Sequence, residues 1–339
     1  MSKPILVTGG AGYIGSHACK ALAKAGYEPI AYDSLVRGHR EAVRWGPLIE
    51  GDLADRDKLA ATLKRHAIAA VMHFAAFAYV EESVKQPELY FRNNVINSLG
   101  LFEIMLAANV KRIVFSSTCA TYGIPDQVPI RETSPQRPVN PYGEGKLMVE
   151  RALHWLGAAH GLTHVALRYF NAAGADPDGE AGEEHEPETH LIPLILQTAL
   201  KRRKRIDIYG TDYPTPDGTA VRDYIHVQDL AEAHVKALQY LDAGGASVAL
   251  NLGTGTGHSV RETIAAAERV TGLAIAKQET PRRPGDPPML VADPSRAREV
   301  LGWQARISDM DSILATAWAW HNRRAPAAHA RGTAGARIP

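Results

Sequence analysis

Short apolar runs typical of β-strands alternate with amphipathic segments through the first half of this chain. The strand-type runs lie at 5–7, 29–32, 47–50, 70–74, 112–115 and 164–167. The amphipathic segments lie between them, the first ending at Ala25 before Gly26 and the others at 55–66, 88–109 and 142–160. Near-continuous apolar strands separated by helices are typical of a parallel sheet that is covered on both faces. The pattern therefore predicts an α/β fold with a doubly wound parallel sheet.

The alternation ends after Asn171. A stretch rich in Gly, Asp and Glu at 175–188 predicts a loop, and short mixed elements follow it. The apolar run 224–227 and the helical pattern after Gln228 predict a return to the first domain. We therefore predict a first domain of 1–171 and 223–250, and a smaller mixed α/β domain of 172–222 and 251–324. The remaining residues, 325–339, have no periodic pattern and are predicted to be disordered.

Composition narrows the class of protein. The 339 residues are 45% hydrophobic and 22% charged, which is ordinary for a globular enzyme, and their formal net charge is +1. A charge so close to zero gives no general attraction to nucleic acid or to a membrane surface, so neither is an expected partner. Two cysteines, Cys19 and Cys119, suit a reducing compartment. Because no apolar stretch approaches ~18 residues and no signal segment is present, we predict a cytoplasmic location.

A glycine-rich turn follows the first predicted strand and opens the first predicted helix. Residues 8–15, TGGAGYIG, satisfy the pattern G-x-G-x-x-G. Glycines in this position let backbone N–H groups approach a pyrophosphate at a helix N-terminus. Asp33 ends the second strand 18 residues beyond Gly15. A carboxylate there binds the adenosine ribose hydroxyls and repels a 2′-phosphate.

The first domain is therefore predicted to bind NAD in the Rossmann manner. Arg37, four residues after Asp33, leaves NADP as an alternative. Asp52 ends the third strand, where its carboxylate can accept a hydrogen bond from the adenine amino group.

Tyr142 and Lys146 are candidates for proton transfer. They are four residues apart, so on a helix they share one face, and Pro141 stands where helices commonly begin. The pattern Y-x-x-x-K alone also fits a surface helix pair. Ser116, Ser117 and Thr118 make proton transfer the better interpretation, because they put hydroxyl groups at the end of a strand just upstream.

The charge needed to activate such a phenol can be weighed. Half-ionising a group with a pKa near ~10 at neutral pH takes about 4 kcal/mol. One positive charge at ~5 Å supplies about 3 kcal/mol at an effective dielectric of about 20. The Lys146 ammonium and the pyridinium of oxidised NAD would together suffice. Because the ring becomes neutral on reduction, the strength of the base follows the redox state of the cofactor.

Five longer segments resemble one family. They are HFAA at 73–76, NNV at 93–95, LRYFN at 167–171, RDYIHV at 222–227 and RRPGD at 282–286. With the glycine turn, the Ser-Ser-Thr segment and Y-x-x-x-K, they are similar to the extended short-chain dehydrogenase/reductases that act on nucleotide sugars, and specifically to the UDP-glucose 4-epimerases. The resemblance covers roughly residues 4–322, and FAYV at 77–80 with STCATYG at 117–123 most resembles the bacterial enzymes of exopolysaccharide synthesis. It implies an isomerase of galactose and carbohydrate metabolism that inverts C4 of a UDP-sugar reversibly, through a 4-keto intermediate and with NAD recycled.

The resemblance also implies a role for each residue that matches a family motif. Tyr142 is the expected base for the 4-hydroxyl proton, Lys146 tunes it and binds the nicotinamide ribose, and Thr118 shares the 4-hydroxyl hydrogen bond. The expected cofactor-binding residues are Gly9, Gly12, Tyr13, Ile14, Gly15, Asp33, Ser34, Asp52, Leu53, Phe74, Ala75, Ala76, Ala78, Asn93, Thr118, Tyr142, Lys146 and Phe170. Many family members have a lysine where Ala78 stands, so one cationic contact to the cofactor is missing here.

The substrate-binding residues are expected from the same resemblance. Arg222 and Arg283 match the family's diphosphate clamps, where planar guanidinium groups bind oxygen pairs. The other expected contacts are Asn171, His190, Leu191, Tyr209 and Asp286, with His190 in place of a commoner asparagine. Leu290 falls near the position that decides whether N-acetylated sugars are accepted.

Cys119 and Ala120 argue against the sister reactions of the family. Related dehydratases and decarboxylases carry an acid, or an Asp-Glu pair, directly after the strand-end Thr or Ser, because elimination needs an additional acid and base. Cys-Ala supplies neither, whereas epimerisation needs one base. Two alternatives stay open, namely a 4-epimerase of UDP-pentoses (xylose and arabinose) and a non-catalytic sensor of NAD or UDP-sugars.

Three further expectations concern metal, charge and assembly. His185 and His190 lack zinc spacing, so no metal is expected. The basic run 201–205 is expected to be the solvated end of a helix over 191–200. Family members are often homodimers formed by two long helices of each subunit, here 88–109 and 142–160.

Overall fold

The computed structural model describes residues 2–283 and 285–323. Its strands are β1 (Pro4–Thr8), β2 (Glu28–Asp33), β3 (Leu48–Glu50), β4 (Ala70–His73), β5 (Arg112–Thr118), β6 (Thr163–Tyr169), β7 (Asn171–Ala173), β8 (Ile206–Tyr209), β9 (Val221–His226), β10 (Val248–Leu252), β11 (Gly257–Ser259), β12 (Lys277–Thr280) and β13 (Met289–Leu290). Its α-helices are α1 (Tyr13–Lys24), α2 (Arg56–Arg65), α3 (Val80–Lys85), α4 (Pro87–Tyr90), α5 (Asn97–Ala107), α6 (Pro141–His160), α7 (Leu191–Ala199), α8 (Val227–Asp242), α9 (Val260–Thr271), α10 (Ser295–Leu301) and α11 (Met310–Arg323).

A seven-stranded parallel sheet has the order β10-β6-β5-β4-β1-β2-β3. Its strands are apolar throughout because helices cover both faces. The apolar sides of α1 and α8 pack on one face, and those of α2, α5 and α6 pack on the other. The predicted doubly wound α/β fold is confirmed. The strand order reverses between β1 and β4, and such a reversal opens a crevice for ligands at the carboxyl ends of the strands.

The C-terminal half adds two small sheets. In the larger of them, β9 pairs with β7 and β13 in parallel and with β11 in antiparallel. In the other, β8 and β12 pair in parallel. Helices α7, α9 and α11 bury Ile195, Ile264 and Leu314 in a separate core beside these sheets. The smaller mixed α/β region thus has its own hydrophobic core.

Strand β9 differs from its prediction. The sequence predicts that it returns to the first domain, but β9 lies in the small mixed sheet because β7 pairs with it directly. The return to the large sheet begins one element later, where α8 packs against α1. The domain boundaries as a whole stay a prediction, and 325–339, predicted to be disordered, lie outside the described residues.

The predicted helix over 88–109 is interrupted. Helix α4 passes into a π-helical turn at Phe91–Ile96 before α5 begins. A π-turn inserts an extra residue into the helical repeat and is frequent at functional sites, and periodicity over such a length does not reveal it. The helix predicted over 142–160 is present as α6, and the basic run 201–205 follows α7 with mostly exposed side chains. Among the described residues, none of the helices combines the length and hydropathy that a membrane crossing needs.

Candidate active site

The glycine turn between β1 and α1 leaves no room for side chains. Gly9 has a φ of +74°, and a Cβ there would lie 2.7 Å from the Ala75 nitrogen. A Cβ on Gly15 would lie 2.1 Å from the Gly9 oxygen. Gly12 is the N-cap of α1 and offers no side-chain cap, and the first turn has no acidic residue. This uncapped N-terminus fits a pyrophosphate, because its N–H groups and the helix dipole favour an anion.

Tyr13 and Ile14, which are predicted to cover the cofactor, occupy the first turn of that helix. The Tyr13 hydroxyl donates to the Gly174 carbonyl at 2.7 Å, which ties the start of α1 to the end of β7. This hydrogen bond joins the glycine turn to the smaller region of the molecule.

Asp33 fixes the shape of the turn and remains able to bind a ligand. Its Oδ2 accepts from Ala11 N at 2.9 Å, and its Oδ1 accepts from Leu35 N at 2.8 Å. Burial raises the pKa of this carboxyl, and the two amide hydrogen bonds oppose the rise. Each oxygen keeps a lone pair, so the carboxylate at the end of β2 suits ribose hydroxyls.

Arg37, which left NADP open, is already neutralised. Its Nη2 donates to the two carboxylate oxygens of Glu82 at 2.8 and 3.0 Å, and its guanidinium lies 4.6 Å from the centre of the Tyr79 ring. A guanidinium held in this way is poorly placed to bind a 2′-phosphate as well, so the arrangement favours NAD.

The other predicted adenosine-side residues lie at the ends of neighbouring strands. Ser34 is exposed directly after β2, and Asp52 is exposed just after β3. The Asp52 Oδ1 accepts from Ala54 N at 2.8 Å, while Leu53 is buried in the core beside Tyr32. These positions lie at the same edge of the sheet as Asp33.

The segment 74–78 follows β4 and is held by an asparagine to which the sequence analysis gives no role. The side chain of Asn94 accepts from Phe77 N and donates to Phe77 O, each at 2.8 Å. Asn93, a predicted cofactor residue, donates to Asn94 Oδ1 at 2.9 Å. Both asparagines belong to the π-turn. The NNV motif is the signal that could have pointed to Asn94.

The small residues of this segment leave open space for a ligand. Phe74 packs its ring 4.6 Å from that of His234. Ala75 and Ala76 are partly exposed, and Ala78 is exposed.

The proposed base is placed by the start of α6. Asn140 caps this helix by accepting from Gly143 N at 2.8 Å, and Pro141 is its first residue. A Cβ on Gly143 would lie 2.5 Å from the Ala120 oxygen, so a glycine is required for α6 to pack on the turn that follows β5. This packing brings the Tyr142 hydroxyl into hydrogen-bond contact with Thr118.

Lys146 lies one helical turn beyond Tyr142 and is buried. Its Nζ donates to the Ser116 carbonyl at 2.7 Å and lies 6.0 Å from the centre of the Tyr142 ring. The structure therefore brings Thr118, Tyr142 and Lys146 together at the carboxyl end of β5, as the sequence predicts.

Burial opposes ionisation of both groups. It raises the pKa of Tyr142 to about 12, against which the hydrogen bond to Thr118 acts. It also lowers the pKa of Lys146 to about 7, against which the charge of Glu150 acts. Lys146 by itself therefore does not make Tyr142 a base near neutral pH, and a second positive charge is needed.

A buried ion pair beneath Lys146 is not apparent from the motifs. Glu150 Oε1 accepts from Ser117 Oγ at 2.5 Å, and its Oε2 accepts from Arg168 Nη2 at 2.5 Å. Arg168 also donates to the Tyr122 hydroxyl at 2.9 Å. Glu150 and Lys146 share one face of α6, and this i, i+4 spacing is the signal that could have identified it. The network fixes α6 against β5 and β6.

Cys119 follows Thr118 and is inert. Burial raises the pKa of its thiol to about 12, so no thiolate is present near neutral pH. It packs with Phe170 and Leu290 in a small apolar cluster beside the turn that follows β5. Phe170, a predicted cofactor residue, is thus also a core residue, and Asn171 after it begins β7.

Four predicted substrate residues form one group. Arg222 on β9 pairs with Asp286, and the Asp286 amide donates to the Arg283 carbonyl at 3.3 Å. The Arg283 guanidinium lies 3.8 Å from the centre of the Tyr209 ring. The charge of Arg222 acts on the Cys119 thiol, so this group lies near the turn that follows β5.

His190 is the N-cap of α7, and Leu191 is the first residue of that helix. His190 also belongs to a cluster that the sequence does not predict. Its Nδ1 lies 2.8 Å from Glu183 Oε1 and 3.1 Å from Glu188 Oε1. His185 Nδ1 lies 3.3 Å from the same Glu183 oxygen. The spacing E-x-H-x-x-E-x-H at 183–190 is the signal for this cluster.

Comparisons with known proteins identify the family of this chain. Residues 5–253 match the NAD dependent epimerase/dehydratase family. The chain belongs to this family. It is 54% identical over 320 residues to a UDP-glucose 4-epimerase of Rhizobium meliloti (strain 1021), with 94% of this chain and 97% of the relative covered.

Solved structures of relatives have the same fold. The crystal structure of UDP-glucose 4-epimerase from Brucella ovis in complex with NAD has a TM-score of 0.92 and 50% identity, over 94% of this chain and 98% of that one. A UDP-glucose-4-epimerase from Stenotrophomonas maltophila with bound NAD and formylated UDP-arabinopyranose has a TM-score of 0.92 and 43% identity, over 95% and 98%. The resemblance inferred from the motifs is confirmed.

Proposed function

We propose that this chain catalyses the reversible 4-epimerisation of a UDP-sugar, with UDP-glucose and UDP-galactose as its substrates and NAD as its cofactor. The contact of Tyr142 with Thr118, one helical turn from Lys146, is the observation that carries the proposal. The residues after Thr118 are Cys119 and Ala120, so the acid and base that an elimination needs are not supplied there.

The glycine turn, Asp33 and the segment 74–78 are the proposed NAD site. When bound at these residues, NAD would supply the hydride acceptor and donor for the sugar, and its oxidised form would add a positive charge. Gly12 and Gly15 at the start of α1 bind the pyrophosphate, and Asp33 binds the adenosine ribose. Lys146 binds the nicotinamide ribose and holds Tyr142 beside it.

Tyr142 is the proposed base. In its phenolate form, Tyr142 takes the proton of the sugar 4-hydroxyl, with Thr118 sharing the hydrogen bond, and later returns that proton. Because burial raises the pKa of Tyr142 to about 12, the phenol stays protonated until positive charge is added. Proton removal is thereby restricted to the state in which cofactor and substrate are both present.

Inversion at C4 requires the nucleotide to be held firmly and the sugar loosely. Arg222 and Arg283 are the proposed ligands of the diphosphate, with Tyr209 and Asp286 orienting them. Asn171, His190 and Leu191 are the remaining proposed contacts, and Leu290 borders the space for the sugar. When the 4-keto sugar turns between these residues, its opposite face is presented for hydride return.

The direct test is incubation of the purified chain with UDP-galactose without added reductant. The proposal expects UDP-glucose to accumulate up to a constant ratio of the two sugars, and the same ratio from UDP-glucose. Accumulation of a 4-keto-6-deoxy sugar would instead identify a dehydratase. Absence of turnover on every UDP-sugar, with NAD still bound, would identify a sensor.

A UDP-pentose is the second candidate substrate, because the Stenotrophomonas maltophila relative was crystallised with formylated UDP-arabinopyranose. A comparison of kcat/KM for UDP-xylose and UDP-galactose separates the two candidates. A higher value for UDP-xylose would reverse the assignment.

A homodimer is the proposed assembly. Ile96 and Leu99 near the start of α5 and Met148 and Trp155 on α6 are 61%, 37%, 41% and 70% exposed, each pair on one helical face. Apolar faces of this kind commonly pack against another protein. Light scattering should give twice the chain mass for the wild type and a smaller mass for Trp155→Glu; a wild-type monomer would exclude the dimer.

The cytoplasmic location stays a prediction.

A further inference from the structure

The loop between β7 and α7 gathers four metal-binding side chains into one cluster. Glu183, His185, Glu188 and His190 each offer one ligand atom, and all four atoms lie within 4.8 Å of one another. The side chains of Glu183 and Glu188 are only 5% and 4% exposed, and that of His185 is 19% exposed. We propose that this cluster binds one zinc ion, which fixes the loop next to the nucleotide-binding site.

The separations between the ligand atoms suit tetrahedral zinc. Ligands about 2.0–2.1 Å from a tetrahedral zinc ion lie ~3.3–3.4 Å from one another. His185 Nδ1 lies 3.3 Å from Glu183 Oε1 and 3.6 Å from Glu188 Oε2, close to this separation. His190 Nδ1 lies 2.8 Å from Glu183 Oε1 and 3.1 Å from Glu188 Oε1, so its contacts would lengthen slightly around the ion. Two imidazole nitrogens and two carboxylate oxygens are a donor set that zinc accepts.

Hydrogen bonds alone leave this cluster incompletely satisfied. The Nδ1 of His185 is shielded from solvent and lacks a hydrogen bond of good geometry to any described residue, although it lies 3.3 Å from Glu183. The His185 and His190 rings have centroids 5.2 Å apart. A divalent cation within the cluster would give the His185 nitrogen the partner that it lacks.

Surrounding contacts orient the ligands, as in known metal sites. Trp320 Nε1 on α11 donates to the Glu183 carbonyl at 3.2 Å. Glu188 Oε1 also accepts from the backbone nitrogens of Thr189 and His190 at 2.7 and 2.8 Å. The loop is therefore anchored to α11 and to the start of α7.

The cluster also touches the cofactor side of the molecule. The ring of His185 lies edge-on to that of Tyr13, with centroids 6.3 Å apart, and to that of Tyr79, at 6.0 Å. Tyr13 is in the first turn of α1, where the pyrophosphate site is proposed. A metal here would hold the loop against that turn, and with Nδ1 on the metal the Nε2 of His190 stays free. The role is structural and does not depend on the proposed reaction.

The spacing of His185 and His190 alone predicts no metal, because it leaves out Glu183 and Glu188.

A second acidic group in the same loop is not proposed to bind a metal. Asp176, Asp178 and Glu180 also lie close together, but the Lys20 ammonium contacts all three at 2.6–2.7 Å and neutralises part of their charge. It therefore provides a matched control.

The test is metal retention by the full chain. The protein is stripped with a chelator, incubated with zinc chloride, passed through a desalting column and analysed for metal by mass spectrometry. We expect close to one zinc per wild-type chain and at least a ~10-fold lower occupancy in Glu183→Gln and His185→Gln. Asp178→Asn should retain zinc, and His185→Cys should recover it because a thiolate is also a zinc ligand.

A second measurement does not depend on variants. A ligand that binds only the folded state raises its stability, so zinc should raise the unfolding temperature of the stripped wild type, whereas magnesium and calcium should not. If the wild type retains no zinc and its unfolding temperature does not respond, the cluster is an ion-pair network and the proposal is wrong. Equal zinc loss in Asp178→Asn and His185→Gln would also overturn it.

Discussion

The region proposed to bind the cofactor (the cofactor side) and the region proposed to bind the substrate (the substrate side) are built differently. On the cofactor side, Gly9, Asp33 and Thr118 each lie at or just after the carboxyl end of a parallel strand, so the backbone of one sheet positions them. On the substrate side, Arg222 lies on β9 and Arg283 lies in the segment after β12. These two residues are held by side-chain pairs with Asp286 and Tyr209.

This difference separates two kinds of function. A rigid sheet edge suits a cofactor that stays in place and a base that must meet one hydroxyl group. A group of paired side chains suits a diphosphate that enters and leaves. Substitutions on the cofactor side should therefore impair stability and chemistry, and those on the substrate side should impair binding.

The largest expected effect concerns the buried ion pair between Glu150 on α6 and Arg168 on β6. Glu150→Ala should lower the free energy of unfolding by about 3–5 kcal/mol, because it leaves the buried Arg168 without a counter-charge. The matched control is Asp311→Ala, which breaks the exposed Arg269–Asp311 pair and should cost about 0–1 kcal/mol. Urea unfolding followed by circular dichroism measures the free energy of unfolding of both variants. Equal losses in the two variants would show that the buried pair is no more important for stability than the exposed pair, and would remove the contrast.

The second prediction concerns pH. In the folded, cofactor-free protein the pKa of Lys146 is lowered from 10.5 to about 7. Between these values the unfolded chain binds more protons than the folded one, so stability increases with pH. The contribution of this lowered pKa to the free energy of unfolding is fully present above pH 10.5 and is lost as the pH falls to about 7.

Its measurement is the difference in free energy of unfolding between the cofactor-free wild type and Lys146→Met. The difference should rise by up to several kcal/mol from pH 7 to pH 10. Lys58→Met, which changes an exposed lysine on α2, should give a flat difference over the same range. A flat result for Lys146 as well would show that burial does not strain its charge.

Tyr142→Phe should reduce kcat by at least ~10²-fold, the scale of general acid–base catalysis. KM should change little, because Arg222 and Arg283 are the proposed ligands of the nucleotide. Steady-state epimerisation of UDP-galactose is the measurement. Tyr27→Phe removes a phenol hydroxyl bonded to Asp242 and serves as the control with normal turnover. Near-normal kcat in Tyr142→Phe would remove Tyr142 from the chemistry.

The smallest expected effect lies on the substrate side. Arg222→Lys and Arg283→Lys should each raise KM about 10-fold with kcat nearly unchanged, because a lysine loses the planar pair of donors but keeps the charge. Arg269→Lys, at an exposed position on α9, is the control for general effects. A fall in kcat without a change in KM would place these arginines in the chemical step and break the comparison.

The sequence predicts the cofactor side better than the substrate side. The glycine turn, Asp33 and the Tyr142–Lys146 spacing are local patterns, and helix and strand periods convert them directly into geometry. The position of β9 is predicted wrongly, because strand pairing depends on which partner is near after the chain has packed. The π-turn is missed because one inserted residue hardly changes a hydrophobic pattern.

What the sequence determined by itself is the alternation of strands and helices in the first half of the chain, the glycine turn, and the lack of an acid at 119–120. The tertiary structure decided which distant side chains meet. It paired Glu150 with Arg168, joined Asn94 to Phe77, and folded two acids onto His185 and His190. The physical reason is that local spacing is set by the backbone, whereas contacts between distant segments depend on how the helices and sheets pack together.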